Sequence, residues 1–215
     1  MAYFLIALVL IFVAAPFIEQ IRGGDLIESV LITIVFLSAA LAVGNRRRAL
    51  VWAIVLVIPA LAGKWVNHWR ADLIPPEVFL GAGVLFTVFV VVHLLGFILR
   101  ASRVNSEILC AGVTTYLMLG WLWAFAYTLA ARAFPDSFVF TAGPTSFRSM
   151  EGFRSLYFSY ATLTTVGYGD IIPVSNEARM LAMAEAMAGV FYVTLMIARL
   201  IALYHSNRPP NGVSD

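Results

Sequence analysis

Thr164-Thr165-Val166-Gly167-Tyr168-Gly169-Asp170 is the stretch whose residue types and spacing could do chemistry. That chemistry is coordination by backbone oxygen. Stripping water from K⁺ requires oxygen atoms in place of its hydration shell, and backbone carbonyls supply them without a full negative charge. Pointing successive carbonyls one way needs alternating backbone handedness, which Gly167 and Gly169 permit and bulky residues resist. The side chains of Val166 and Tyr168 are then expected to point away from the axis and brace the strand. Thr165 adds its hydroxyl as a further ring at the inner end.

Such a ladder must sit at membrane depth, and the composition provides the setting. The 215 residues are 61% hydrophobic and 12% charged, with a mean hydropathy of +0.90. A soluble domain carries roughly 45–50% apolar and about 25% charged residues, so an ordinary cytosolic enzyme is excluded. A net charge of +2 is too small for a nucleic-acid partner. The single cysteine, Cys110, leaves no intrachain disulfide and no cysteine-rich metal site.

A helix needs roughly 20 mostly apolar residues to cross a bilayer. Six stretches approach that length: Ala2–Ile18, Leu26–Val43, Ala49–Ala62, Val78–Leu99, Ile108–Ala131 and Ala178–Tyr204. The third is the shortest and contains Pro59. The first lacks the basic leading region and small-residue cleavage site of a signal peptide, so it is expected to remain as a span. The polar breaks are short, which predicts one compact bundle without internal repeats. Between the last two spans, Phe153–Thr164 is apolar enough to enter the membrane but reaches only ~18 Å. A half-length helix must turn back, and irregular backbone at that depth is tolerated where protein buries it or where it lines a watery path. The negative end of its dipole would face a cation below.

With these elements in place, Thr164–Asp170 resembles the potassium-channel family, with Pro173 following as in simple bacterial members. The resemblance is strongest over about residues 153–189 and looser across the last two spans. It implies an all-α tetrameric membrane channel of six transmembrane helices plus a re-entrant pore helix and selectivity filter. K⁺ would bind at Thr165, Val166, Gly167 and Tyr168, with Gly169 completing the filter and Thr164 supporting it. By similarity to an aromatic–aspartate contact in the family, Tyr157 is the expected partner of Asp170. Some members hold a glutamate behind the filter where this chain has Ala161, so a carboxyl pair with Asp170 is lacking. Each chain offers one carbonyl per level while a dehydrated K⁺ takes about eight oxygens from two four-membered rings, so a homotetramer follows.

The implied polarity places both termini in the cytoplasm of a plasma membrane. The basic residues alone are balanced, six inside (Arg46, Arg47, Arg48, Arg100, Arg103, Arg208) against seven outside (Arg22, Lys64, Arg70, Arg132, Arg148, Arg154, Arg179). Setting aside the four that flank the long mixed region leaves six against three, in the sense of the positive-inside rule. Nine of the twelve acids fall outside, where they would concentrate cations.

The layout is also similar to that of voltage-gated channels, whose fourth helix carries Arg or Lys at every third position. Phe79–Leu99 contains neither, and Arg100 and Arg103 read as positive-inside anchors. Residues 1–103 therefore read as a sensor-like four-helix bundle without gating charges, 104–205 as the pore domain and 206–215 as a short cytoplasmic tail, too short for a ligand-binding gating domain. In the last span Gly189 reads equally as a gating bend, by similarity, or as a close-packing residue among Ala182, Ala184, Ala186 and Ala188. Glu185, one turn above it, must face protein or water. It reads as a hydrogen-bonded or protonated packing residue, or as a pH- or ion-sensitive group near Tyr160 or Thr162. His68 and His93 lack partners at metal-ligand spacing. Trp65, Trp69, Trp121 and Trp123 are expected as interfacial anchors.

The function expected from the sequence is passive, K⁺-selective conduction, not steeply voltage-gated, needing no cofactor beyond the permeant ion and no catalysis. The partners are K⁺, the lipid bilayer and three further copies of the chain. The alternatives are a membrane subunit of a potassium transporter, or a non-conducting regulatory or scaffold subunit.

Overall fold

The computed structural model describes residues 1–18, 23–43, 47–69, 75–141 and 149–206. Glu19, Arg22, Arg46, Arg70, Asp72, Arg148, the tail from residue 207 onward, and the side chains of Arg47, Arg48, His68 and Trp69 lie outside the described residues.

Among the described residues seven helices run in chain order: α1 Ala2–Ile18, α2 Gly24–Val43, α3 Arg47–Trp69, α4 Pro76–Leu99, α5 Ser106–Ala133, α6 Phe153–Leu163 and α7 Asn176–Ser206. Their starts follow local chemistry. Pro76 opens α4, where a missing N–H costs nothing. Asn105 caps α5 by accepting from the Ile108 amide at 3.0 Å, and Ser175 does the same for Ala178 at 3.1 Å at the head of α7.

Five of these helices, α2, α3, α4, α5 and α7, are long and apolar enough to cross a membrane. Two fall short, α6 with 11 residues and α1 with 17. This corrects the expectation that the third stretch is the shortest, since α3 has 23 residues and runs straight through Pro59. An apolar count stops at the polar residues, whereas the helical hydrogen-bond ladder carries on to Trp69, and neighbours in a membrane bundle re-satisfy the carbonyl that a proline frees.

The largest core is continuous from α1 to α6. Phe4, Leu8 and Ile11 of α1 belong to one cluster with Phe36 of α2, Val57 of α3, Phe86 and Val90 of α4, Met118 and Trp121 of α5, and Leu156 and Leu163 of α6. No break in packing separates residues 1–103 from those that follow. Trp121 belongs to this core, only 8% exposed, which corrects its reading as an interfacial anchor.

The structure adds one feature that the all-α reading did not contain. Strand β1 (Phe138–Phe140) pairs antiparallel with β2 (Ile171–Pro173), with Val139 opposite Ile172. Three-residue strands are too short to show a period of two. Phe138 inserts beside Phe158 and Tyr127 in a small aromatic core, which ties this ribbon to α5 and α6.

Polar contacts mark the two ends of the bundle. Near the start of α6, Lys64 pairs with Glu28 at 2.9 Å, and Arg132 pairs with Glu151 at 2.6 Å and Glu77 at 3.8 Å. At the opposite end, the Arg199 guanidinium of α7 donates to the carbonyls of Leu99 and Ala101 at 2.9 and 2.8 Å. Ile98, Ile108, Ala111, Met196 and Leu200 pack into a separate apolar cluster beside that contact.

Candidate functional site

Helix α6 has eleven residues, so it extends about 16 Å, far short of a crossing. Its last turn hands over directly to the strand that follows. The Tyr160 carbonyl accepts from the Thr164 amide at 3.0 Å and its hydroxyl at 2.6 Å. The Thr162 carbonyl accepts from the Thr165 amide at 2.9 Å, and Ala161 from both Val166 and Gly167, at 2.9 and 3.1 Å. Carbonyls that a helix end ordinarily leaves unpaired are thereby occupied, and the chain is forced to reverse at Thr164.

Beyond the reversal the backbone alternates. Thr165, Gly167 and Gly169 have φ of 60°, 53° and 80°, whereas Val166 and Tyr168 remain in the ordinary negative region. Residue types point to the two glycines. They do not point to Thr165, a β-branched residue in a conformation that costs about 1–3 kcal/mol. The hydrogen bond from its amide N–H to the Thr162 carbonyl holds it there. Residues 164–169 are exposed on the single chain, with Val166 at 53% and Tyr168 at 71%.

The far end of the strand is anchored by Asp170. Its Oδ2 accepts from the Tyr157 hydroxyl at 2.8 Å, the pair named from the family resemblance, and its Oδ1 accepts from the Ile171 amide at 3.1 Å. The Tyr157 and Tyr168 rings stack, 6.1 Å apart and 8° from parallel, so Tyr168 is braced within its own chain. Burial, the hydrogen bond to Asp170 and the charge of that carboxylate raise the Tyr157 phenol to about 12, which keeps it a donor at neutral pH. Thr141 is an anchor that the sequence did not reveal. Its amide donates to the Asp170 carbonyl at 2.9 Å, and its hydroxyl lies 3.2 Å from the Gly169 and Asp170 carbonyls. The ribbon of β1 and β2 brings it there from 28 residues away.

Behind α6 the structure places Glu185 and Gly189 of α7. Glu185 is fully buried. Its carboxyl hydrogen-bonds the hydroxyls of Tyr127 on α5 and Ser159 on α6, and of the two expected neighbours Tyr160 also faces it. The Tyr160 hydroxyl donates to the Leu117 carbonyl at 2.6 Å and makes no hydrogen bond to the carboxyl. At Gly189 a Cβ would overlap the Leu163 carbonyl at the end of α6, so the glycine is a point of close approach between the two helices. Gly120 of α5 plays a similar part, since a Cβ there would stand 2.5 Å from the Tyr160 ring.

Among the described residues, no group of His, Cys, Asp or Glu could hold a metal ion by side chains. His93 is engaged with the Phe89 carbonyl one turn earlier in its own helix. The oxygen groups of the strand itself are what the site offers a cation.

Comparison with known proteins bears on the same region. A family model described as an ion channel matches residues 106–205. A two pore potassium channel of Oryza sativa subsp. japonica is 42% identical over 52 residues, 24% of this chain and 15% of that protein. A voltage-gated potassium channel of Escherichia coli is 29% identical over 144 residues, 67% of this chain and 30% of that protein. A calcium-gated potassium channel of Thermoplasma volcanium is 40% identical over 50 residues, 23% of this chain and 14% of that protein. The chain thus matches less than a third of the length of each of these relatives. No solved structure gives a significant match.

Proposed function

Since the chain belongs to the potassium channel family, we propose that it forms a K⁺-selective channel that conducts passively through four copies arranged around one axis. In this reading α1–α5 and α7 are six spans and α6 is the re-entrant pore helix. Thr165, Val166, Gly167 and Tyr168 hold K⁺, Gly169 completes the filter, and Thr164, Tyr157 and Asp170 keep the strand in place. The alternation of backbone handedness at Thr165, Gly167 and Gly169 is the observation that carries the reading. It turns successive carbonyls to one side, which is what replacing a hydration shell requires.

One strand supplies one carbonyl per level, and the exposure of residues 164–169 fits a strip completed by copies of itself. The apolar flank of α7 left uncovered by its own chain, including Met183, Met187, Phe191 and Leu195, fits the same assembly. Helix α4 carries no Lys or Arg, so the bundle α1–α4 senses voltage weakly at most. The proposed setting is a plasma membrane with both termini on the cytoplasmic side.

Reversal potentials of the purified protein in planar bilayers, under opposed K⁺ and Na⁺ gradients, test the proposal. Unitary steps reversing near the K⁺ equilibrium potential are expected. Equal permeation of the two ions, or no current steps at all, would sink it.

A further inference from the structure

Glu185 is a buried acid without a buried base. None of the described ion pairs involves it, and no Lys, Arg or His among the described residues contacts its carboxyl. The ionisable groups facing it are Tyr127 and Tyr116 from α5 and Tyr160 from α6, all phenols. On its own helix the nearest charge is Arg179, almost two turns away, whose guanidinium is directed to the Pro173 carbonyl at 3.2 Å.

The hydrogen-bond inventory decides where the protons are. Ser159 Oγ stands 2.6 Å from one carboxyl oxygen of Glu185 and 2.7 Å from the Gly120 carbonyl of α5. Serine has one proton to give, and both a carbonyl and an ionised carboxylate can only accept. With Glu185 ionised, one of these short contacts has no proton in it. With Glu185 protonated, the carboxyl donates to Ser159, Ser159 donates to Gly120, and Tyr127 donates to the second carboxyl oxygen. Every contact then holds one proton. An unpaired carboxylate at this depth would also carry a desolvation cost that no neighbour offsets.

We propose that Glu185 works as a neutral carboxylic acid, a positioning residue that fixes the α6 helix against α5 and α7 through Ser159 and Tyr127. It touches no permeant ion. It acts through α6, whose last turn sets the geometry of residues 164–167, so the effect on selectivity rests on the conduction reading above while the proton itself does not.

Two measurements on the full chain in lipid vesicles test it. The infrared difference spectrum of wild type minus Glu185→Gln at neutral pH is expected to show the carbonyl stretch of a protonated carboxyl. A carboxylate signature in its place overturns the proposal whether or not the protein conducts. In bilayers, Glu185→Gln keeps the trio of hydrogen bonds and should leave the K⁺/Na⁺ permeability ratio close to wild type. Glu185→Ala should lower it by about tenfold, the equivalent of one strong hydrogen bond lost behind the filter. Should that variant not assemble, Ser159→Ala replaces it, with a loss of the same sign. A truncation that leaves the ratio unchanged, or a Gln variant as impaired as the Ala variant, overturns the positioning role. A wild type without K⁺ current would overturn the conduction reading and leave the infrared result to decide the proton.

Discussion

Residue by residue, the strand after α6 combines two kinds of control, conformational and electrostatic. At Gly167 and Gly169 nothing lies within 4 Å of an added Cβ, so in the single chain an alanine would meet no obstacle. The cost would come from the left-handed backbone alone, about 1–2 kcal/mol. Gly167→Ala is therefore expected to fold and assemble yet bring the K⁺/Na⁺ permeability ratio towards one, read from reversal potentials. Tyr157→Phe keeps the ring that stacks on Tyr168 and removes only the bond to Asp170. A hydrogen bond to a charged group is worth about 1.5–3 kcal/mol, and the lower figure applies to this half-buried pair. Faster decay of macroscopic current during sustained opening is the expected outcome, and decay at the wild-type rate would show that another contact holds the strand. The residue types made Gly167 and Gly169 legible in advance, and the resemblance to the potassium-channel family supplied the Tyr157–Asp170 pair. Nothing in them disclosed the positive φ of Thr165, because threonine disfavours that conformation and only the bonds from α6 impose it.

The helices are fitted to one another through small residues and backbone carbonyls. Gly189 lets α7 touch the end of α6, so Gly189→Ala should cost about 1–3 kcal/mol through overpacking, seen as a lower melting temperature of the solubilised protein. A bending role alone would leave the melting temperature unchanged. At the other end, Arg199 joins the foot of α7 to the last carbonyls of α4 and the turn beyond it. Arg199→Ala removes both bonds and is expected to speed hydrogen exchange at residues 99–104, whereas Arg199→Lys should retain part of the protection because one ammonium can still reach a carbonyl. Helix positions were readable from runs of apolar residues, and the observed ends lie within two residues of the apolar runs for α1, α2, α4, α5, α6 and α7. For α3 the run of apolar residues stopped short of the helix, since hydropathy measures preference for lipid and not the helical ladder. The strands at residues 138–140 and 171–173 left no trace of period, and with them Thr141 went unrecognised.

For the molecule as a whole, the uncovered flank of α7 and the exposed strand 164–169 set the expected assembly. Chemical crosslinking of the purified protein should end at four copies, and a limit of two would exclude rings of four carbonyls. The composition determined the solvent: with 61% hydrophobic and 12% charged residues the chain can only fold into a lipid bilayer. The seven-residue motif likewise marked the backbone proposed to coordinate K⁺, because glycine spacing and carbonyl chemistry are local properties. Tertiary structure decided what stands behind that backbone. Tyr127, Ser159 and Glu185 are separated by 26 to 58 positions in the chain and meet only because α5, α6 and α7 pack together. The continuous core that joins α1 to α6 is of the same kind. Apolar faces carry no label naming their partners, so contacts of this type depend on shape, which exists only once the helices have docked.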